Sequence, residues 1–107
     1  MTQFNDREKA FEAKFQKDQE LQFRVNARRN KLLGLWAAEK LGITGDDAEA
    51  YAKEVVAVDF DAPGDEIVQQ KVVADLTNKG IETTDTAVRY EMDRLLDQAK
   101  REVAEEV

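Results

Sequence analysis

The stretch "VRYEMDRLLDQAKREV", residues 88–103, decides the fold class. Its apolar residues recur at intervals of one, three and four, which places them on one face of a helix. They are Val88, Met92, Leu95, Leu96, Ala99 and Val103. Thr84 or Asp85 is suited to cap the first turn. The stretch therefore predicts a helix with one buried face.

Glycine and proline residues divide the preceding sequence into further helices. Gly42, followed by apolar Ile43, is typical of a helix end in which glycine takes the left-handed conformation, and Gly80 predicts a second such end. Pro63 interrupts the chain between them, and Asp65 is expected to cap the helix that follows. Between Gly42 and Pro63 we expect a buried face formed by Ala48, Tyr51, Ala52, Val55, Val56 and Phe60.

The composition agrees with a helical protein and argues against most enzyme chemistries. Of the 107 residues, 36% are charged and 42% hydrophobic, with one proline. The chain has no cysteine, histidine or serine, which excludes disulfides, thiolate metal sites and Ser/His or Cys/His nucleophiles. We therefore expect neither an enzyme nor a metal site. With short connections between helices, the fold class is all-α, a four-helix bundle with an N-terminal amphipathic arm that is mobile or extends the first helix.

The first forty residues are too long for one helix of such a bundle. As a single straight helix they span about 60 Å, whereas a helix of about 16 residues spans about 24 Å. Their apolar residues also form two stripes, one through Phe4, Phe11 and Phe15 and another that begins at Leu21 and Val25. The two stripes differ by roughly a quarter turn, so one core cannot bury both. We divide the chain into an N-terminal arm, residues 1–19, and a bundle, residues 20–107.

Two interpretations of the arm remain open at this stage. A mixed-charge amphipathic helix with three phenylalanine anchors suits docking into a groove of a protein partner. Alternatively, the arm folds back onto the bundle as an extra core helix. A membrane-surface role is weaker because the positive and negative charges of the arm nearly cancel.

A basic segment, "RRNKLLGLWAAEKLG", residues 28–42, stands out in a chain of net charge −7. Binding of nucleic acid is disfavoured because the isoelectric point is about 4.6 and a single tryptophan offers no stacking platform. We expect the apolar residues to be buried and the basic ones to pair with acidic helices at the surface; these are Leu32, Leu35, Trp36 and Leu41, and Arg28, Arg29 and Lys31. Phosphate binding by the same three cations is a weaker alternative, since no Gly-rich loop accompanies them.

Four segments together resemble a known family: "DREKAFEAKF" at residues 6–15, "ARRNKLLGLWAAEKLG" at 27–42, "AEAYAKEVV" at 48–56 and "PGDE" at 63–66. They are similar to the ATPase inhibitor subunit zeta of alphaproteobacterial F-type ATP synthases, over nearly the whole chain. The resemblance implies a four-helix bundle with a mobile inhibitory arm. It departs from the family at Lys17, where relatives often have histidine, so this chain has no imidazole switch near neutral pH.

The resemblance also implies a function and a partner. The protein would be a non-enzymatic regulatory inhibitor that binds the catalytic head of the ATP synthase, formed by its alpha, beta and gamma subunits, at the cytoplasmic face of the membrane. Its arm would insert at an alpha/beta catalytic interface near the gamma stalk and block ATP hydrolysis, as the mitochondrial inhibitor protein does. The implied partner-binding residues are Phe4, Arg7, Glu8, Lys9, Phe11, Lys14 and Phe15.

An alternative function is that of a small adenine-nucleotide-binding or sensing bundle. Weak binding of ATP or ADP is associated with the family, and the candidate residues for it here are Arg28, Arg29 and Lys31. We expect no other cofactor, no binding of nucleic acid and no membrane insertion, because no apolar run approaches the roughly 20 residues that span a bilayer. The charged N-terminus also lacks the apolar core of a signal peptide, which favours a cytoplasmic location.

Overall fold

The computed structural model describes residues 6–107, and every regular element in that range is an α-helix. This confirms the all-α class. The arm forms its own helix, so residues 6–107 contain five helices where the bundle alone predicts four. They are α1 (Asp6–Lys17), α2 (Gln19–Leu41), α3 (Gly45–Asp61), α4 (Asp65–Asn78) and α5 (Asp85–Glu106).

The helix α2 is the centre of the fold, because it packs against each of the other four helices. The main hydrophobic cluster lies between α2, α3, α4 and α5 and includes Leu33, Val55, Leu76 and Met92, none of which is exposed to solvent. A second cluster lies towards the end of α5 and takes in α1. We refer to α2–α5 as the helical core.

Two helices end in the same way, at the glycines that the sequence indicates. Gly42 has a φ of 76° and the amide of Ile43 donates to the carbonyl of Ala38 at 2.9 Å. Gly80 has a φ of 84° and the amide of Ile81 donates to the carbonyl of Leu76 at 2.9 Å. Both are Schellman ends, in which a left-handed glycine reverses the chain and the following isoleucine packs against the core. Both predicted stops are confirmed.

The glycine in the middle of α2 has a different role. A Cβ atom on Gly34 would lie 2.6 Å from the Cα of Ala52 and 3.3 Å from a methyl carbon of Val55. Ordinary contacts between carbon atoms are about 3.5–4.0 Å, so only glycine permits α2 and α3 to approach this closely. Gly34 and Ala52 therefore set the spacing of these two helices.

The predicted cap residues had different outcomes. The hydroxyl of Thr84 accepts a hydrogen bond from the amide of Ala87 at 3.0 Å, which confirms it as the cap of α5. The prediction for Asp65 was wrong, because the capping position of α4 is Gly64 and makes no side-chain hydrogen bond. The Asp65 carboxylate instead binds the guanidinium of Arg29 at 2.7 Å. Asp65 is the first residue of α4, one position past the cap, and its side chain is directed to Arg29.

Some residues predicted to be buried lie closer to the surface. Phe60, expected on the buried face of α3, is 71% exposed, and its ring meets the exposed ring of Phe23 edge to face at 6.2 Å between centroids. It lies in the last turn of α3. In α2 the four apolar residues expected to be buried, Leu32, Leu35, Trp36 and Leu41, are only partly buried. The buried positions of the same region are Arg29, Asn30, Leu33, Gly34, Ala37 and Ala38.

Candidate functional site

The joint between α1 and α2 consists of one residue, Asp18. Its backbone is extended, with φ −106° and ψ 106°, and its carboxylate accepts a hydrogen bond from the amide of Leu21 at 3.1 Å. This side-chain cap starts α2 anew and turns α1 out of line with it. The arm is thus a separate helix and does not extend the first helix of the predicted bundle. The division of the chain into residues 1–19 and 20–107 stays a prediction.

The apolar side of α1 packs onto a surface that we call the docking face, formed by Leu21 and Val25 of α2 and Ala99 and Val103 of α5. Phe11 is 7% exposed there, and Phe15 is partly buried beside it. The two rings stack with 6.4 Å between their centroids. Of the two interpretations of the arm, folding back onto the rest of the chain is the one this structure contains.

Polar contacts hold the same helix in place. The Lys100 ammonium lies 3.3 Å from a carboxylate oxygen of Glu12 and 4.4 Å from the centre of the Phe15 ring. The guanidinium of Arg7 donates to the backbone carbonyl of Ala104 at 3.1 Å. The side chain of Gln22 donates to the carbonyl of Phe15 at 2.7 Å. These contacts bind α1 both to the last turns of α5 and to the first turn of α2.

The implied partner-binding residues therefore divide into two groups. Arg7, Phe11 and Phe15 contact the helical core. Glu8, Lys9 and Lys14 are exposed at the surface of α1. Phe4 lies outside the described residues. Whether any of them contacts a partner stays a prediction.

A groove of about 650 Å³ lies between α1 and α5. Its floor is apolar and includes Phe11 and Ala104. Its charged lining balances, since three cations face three carboxylates; these are Lys9, Lys100 and Arg101, and Glu8, Glu12 and Asp97. A groove of this composition does not favour an anion over a cation.

The three cations of the basic segment point in different directions. Arg28 pairs with Glu102 at 2.9 Å and also with Glu106, both on α5. Arg29 is 2% exposed and binds Asp65 of α4 as well as the side-chain oxygen of its neighbour Asn30, at 2.9 Å. The prediction that Arg29 forms a surface pair was wrong, because α2 has neighbours on several sides and this position faces inward.

Lys31 lies apart from both arginines. It is exposed and lines a shallow groove between α2 and α3. Arg28, Arg29 and Lys31 therefore do not converge on one cradle, and the two guanidinium groups already bind carboxylates. Nucleotide binding by these residues stays a prediction. Among residues 6–107 no group of three or more acidic, histidine or cysteine side chains is arranged to hold a metal ion.

The ion pairs shift the pKa values of the groups that form them. A hydrogen bond from Arg29 lowers the pKa of Asp65. Hydrogen bonds from Gln98 and then Arg28 lower the pKa of Glu102, and Arg28 lowers that of Glu106. The hydrogen bonds from Arg28 to Glu106 and then to Glu102 raise the pKa of Arg28. These carboxylates are therefore charged at neutral pH and serve as fixed partners for the arginines.

Sequence reasoning missed the docking face and its cation, Lys100. Docking joins residues about ninety positions apart, such as Glu12 and Lys100, which no local pattern connects. One signal was present in the sequence. The apolar stripe of α5 continues through Ala99 to Val103, so α5 has 22 residues where α4 has 14, and the extra turns needed something to cover them.

Comparison with known proteins identifies the family. A family model described as ATPase inhibitor subunit zeta matches residues 1–102. The chain belongs to this family. A structure solved by solution NMR is similar to this member of the zeta family, with 46% sequence identity and a TM-score of 0.70. That match covers 81% of this chain and 99% of the other. A search of curated proteins finds no match.

The match at residues 1–102 confirms the family that the sequence resembles. It includes the whole of α1 and most of α5, so the arm and the docking-face residues Leu21, Val25 and Ala99 lie inside the region typical of zeta subunits, and Val103 follows directly after it. Within residues 6–107, no helix is both long enough and apolar enough to span a bilayer.

Proposed function

We propose that this protein is a regulatory inhibitor of the F-type ATP synthase rather than an enzyme, and that it binds the catalytic head from the cytoplasmic side. Membership of the ATPase inhibitor subunit zeta family supports the role. The proposed mechanism is insertion of the arm at an alpha/beta catalytic interface near the gamma stalk. Helices α2–α5, which we interpret as the four helices of the predicted bundle, then remain outside the interface.

The observation that carries the mechanism is the form of α1. It is a separate amphipathic helix, 12 residues and about 18 Å long, and the one residue of chain between it and the helical core is Asp18. Phe11 and Phe15 provide an apolar stripe, and the exposed charges of Lys9 and Lys14 provide polar contacts on other sides. A helix of this kind is suited to bind in a groove between two subunits.

Inhibition follows if the arm binds one state of the interface more tightly than the others. The catalytic interfaces of a rotary enzyme open and close in turn, so a helix wedged into one of them favours the conformation that it fits. Only this difference in affinity between states stops the cycle, since a ligand that binds all states equally shifts none of them. The apolar stripe supplies affinity, and the charges around it supply the selection between states.

The test is the rate of ATP hydrolysis by the cognate catalytic head, titrated with the full chain and with a version that lacks residues 1–17. This truncation keeps Asp18 and therefore the cap of α2. Circular dichroism establishes that the truncated protein is still helical. We expect the full chain to inhibit and the truncated one not to. Inhibition by both would move the function to the helical core, and inhibition by neither would refute the proposal.

Charge reversal provides a version of the test that leaves α1 in place. Lys9→Glu changes an exposed residue of the arm, and Lys79→Glu changes an exposed residue at the end of α4 as the matched control. We expect the first substitution to raise the half-inhibitory concentration and the second to leave it unchanged. Equal effects of the two would indicate a general effect of net charge, with no specific contact by the arm.

A further inference from the structure

We propose that the docking face is an intramolecular binding site for the arm, and that the docked arm is the non-inhibiting form of the protein. This inference rests on the proposed function and concerns the regulation of the same site. In the docked form Phe11 is 7% exposed and covers Leu21, Val25 and Ala99. The apolar stripe of α1 is therefore already occupied by the protein's own core.

The two uses of α1 exclude each other because they need the same face. Phe11 and Phe15 are four residues apart and lie on one side of the helix, and both contact the docking face. A helix cannot present this side to the docking face and to a partner groove at the same time. Binding of the partner must follow release of the arm, and the helical core competes with the partner for it.

Lys100, on α5, is the cation of the helical core that binds α1. It pairs with Glu12 at 3.3 Å and lies 4.4 Å from the centre of the Phe15 ring, so one side chain binds both a charge and an anchor of α1. Lys100 is 22% exposed and Glu12 is 48% exposed, so solvent partly screens the ion pair, and the contact with the Phe15 ring adds to it. Neither Lys100 nor Glu12 belongs to the residues proposed to contact the partner. Substitutions at these two positions therefore change docking without removing those contacts.

Because the helical core competes with the partner for the arm, we predict that a substitution which weakens docking strengthens inhibition. When only a fraction of the molecules has a free arm, the apparent dissociation constant for the partner is the intrinsic one divided by that fraction. Weakening the docked form raises the fraction and so improves inhibition. Substitution of a residue that contributes only to stability would weaken inhibition or leave it unchanged, because it does not increase the fraction of folded molecules with a free arm.

The experiment compares the full chain with Lys100→Glu, with the double substitution Glu12→Lys and Lys100→Glu, and with Lys71→Glu as control. Lys71 forms the same two kinds of contact as Lys100, an ion pair and a cation–π contact, but it does not contact α1. It is 20% exposed, pairs with Asp75 at 3.0 Å and lies 5.4 Å from the centre of the Tyr51 ring, on α4. Two quantities are measured: the half-inhibitory concentration for ATP hydrolysis by the cognate head, and the exchange rate of the α1 amide hydrogens by NMR.

We expect Lys100→Glu to speed amide exchange in α1 and to lower the half-inhibitory concentration by a factor on the order of five, since it replaces an ion pair and a cation–π contact with repulsion. The double substitution restores the pair with reversed charges and should bring both quantities back towards those of the unmodified chain. The control should change neither.

Two results would contradict the proposals, and they differ. If Lys100→Glu speeds exchange in α1 while the half-inhibitory concentration stays the same or rises, the docked arm does not limit inhibition and this inference is wrong. If neither the unmodified chain nor Lys100→Glu inhibits, the proposed function fails and the inference fails with it.

Discussion

Replacement of Gly34 by alanine tests the close contact between α2 and α3. The new Cβ atom would lie 2.6 Å from the Cα of Ala52 and 3.1 Å from its Cβ, against about 3.5–4.0 Å for ordinary contacts. The obstacle is backbone of α3, which no change of rotamer removes. The helices must therefore separate by about 1 Å, and the packing around Val55 loosens with them.

Two terms of opposite sign decide the size of the effect. Overpacking of a core costs about 1–3 kcal/mol, and a clash with backbone belongs at the upper end. Alanine is the better helix former and returns up to about 1 kcal/mol. We expect Gly34→Ala to lower the free energy of unfolding by about 2 kcal/mol net. For a domain of this size, that corresponds to a fall of about 8–16 °C in the melting temperature.

The assay is urea denaturation, followed by circular dichroism and by the fluorescence of Trp36, the one tryptophan of the chain. Agreement between the two probes establishes a two-state transition. Ala50→Gly, at an exposed position of α3, measures the helix-propensity term in the same protein. If Gly34→Ala proved neutral or stabilising, then α2 and α3 would not be in the contact described, and the role assigned to Gly34 would be refuted.

Three further predictions concern the ion pairs and the surface. Asp65→Asn removes the anionic partner of Arg29, a side chain that is 2% exposed. We expect the free energy of unfolding to fall by about 1–2 kcal/mol, less than for a fully buried pair because Asp65 is half-exposed. An unchanged free energy of unfolding in urea denaturation would argue against this ion pair. The pKa of Asp65 is lowered in the folded state, so the stabilisation by its ion pair is fully present above the unfolded pKa near 4 and is lost as the pH falls through the folded pKa. The free energy of unfolding should therefore decrease below about pH 4, and it should decrease less steeply in Asp65→Asn. Phe60→Ser should change stability by less than about 0.5 kcal/mol because the ring is 71% exposed, whereas a loss above about 1 kcal/mol would indicate the buried position that periodicity predicts.

The features that the sequence predicts well are those set by neighbouring residues. Gly42, Gly80 and Thr84 determine helix ends through their own backbone or hydroxyl, and all three act as expected. The buried face of α5 is also confirmed, since Val88 and Met92 are inaccessible to solvent. A helix with core on one side obeys a simple periodicity.

The features that the sequence predicts poorly depend on distant parts of the chain. A single apolar stripe does not describe α2, which has neighbours on several sides, so Leu33 and Arg29 are buried where Leu32 and Trp36 were expected. Phe60 continues the pattern of α3 but lies in its last turn and is exposed. The position of the arm was left open for the same reason, because it depends on contacts with α5 almost a hundred residues further along.

The single-residue joint at Asp18 has a mechanical consequence for the proposed inhibition. Hydrogen bonds continue on both sides of it, from the amide of Asp18 to the carbonyl of Lys14 and from the amide of Gln22 to the carbonyl of Asp18. The connection is therefore short, so α1 can change direction at Asp18 but cannot move away from it. From the joint α1 extends about 18 Å, whereas the described molecule, α1 included, measures 45 × 34 × 26 Å and is much wider than a single helix of about 10–12 Å. The helical core would act as a depth stop, fixing how far the arm enters the enzyme by the length of the arm alone.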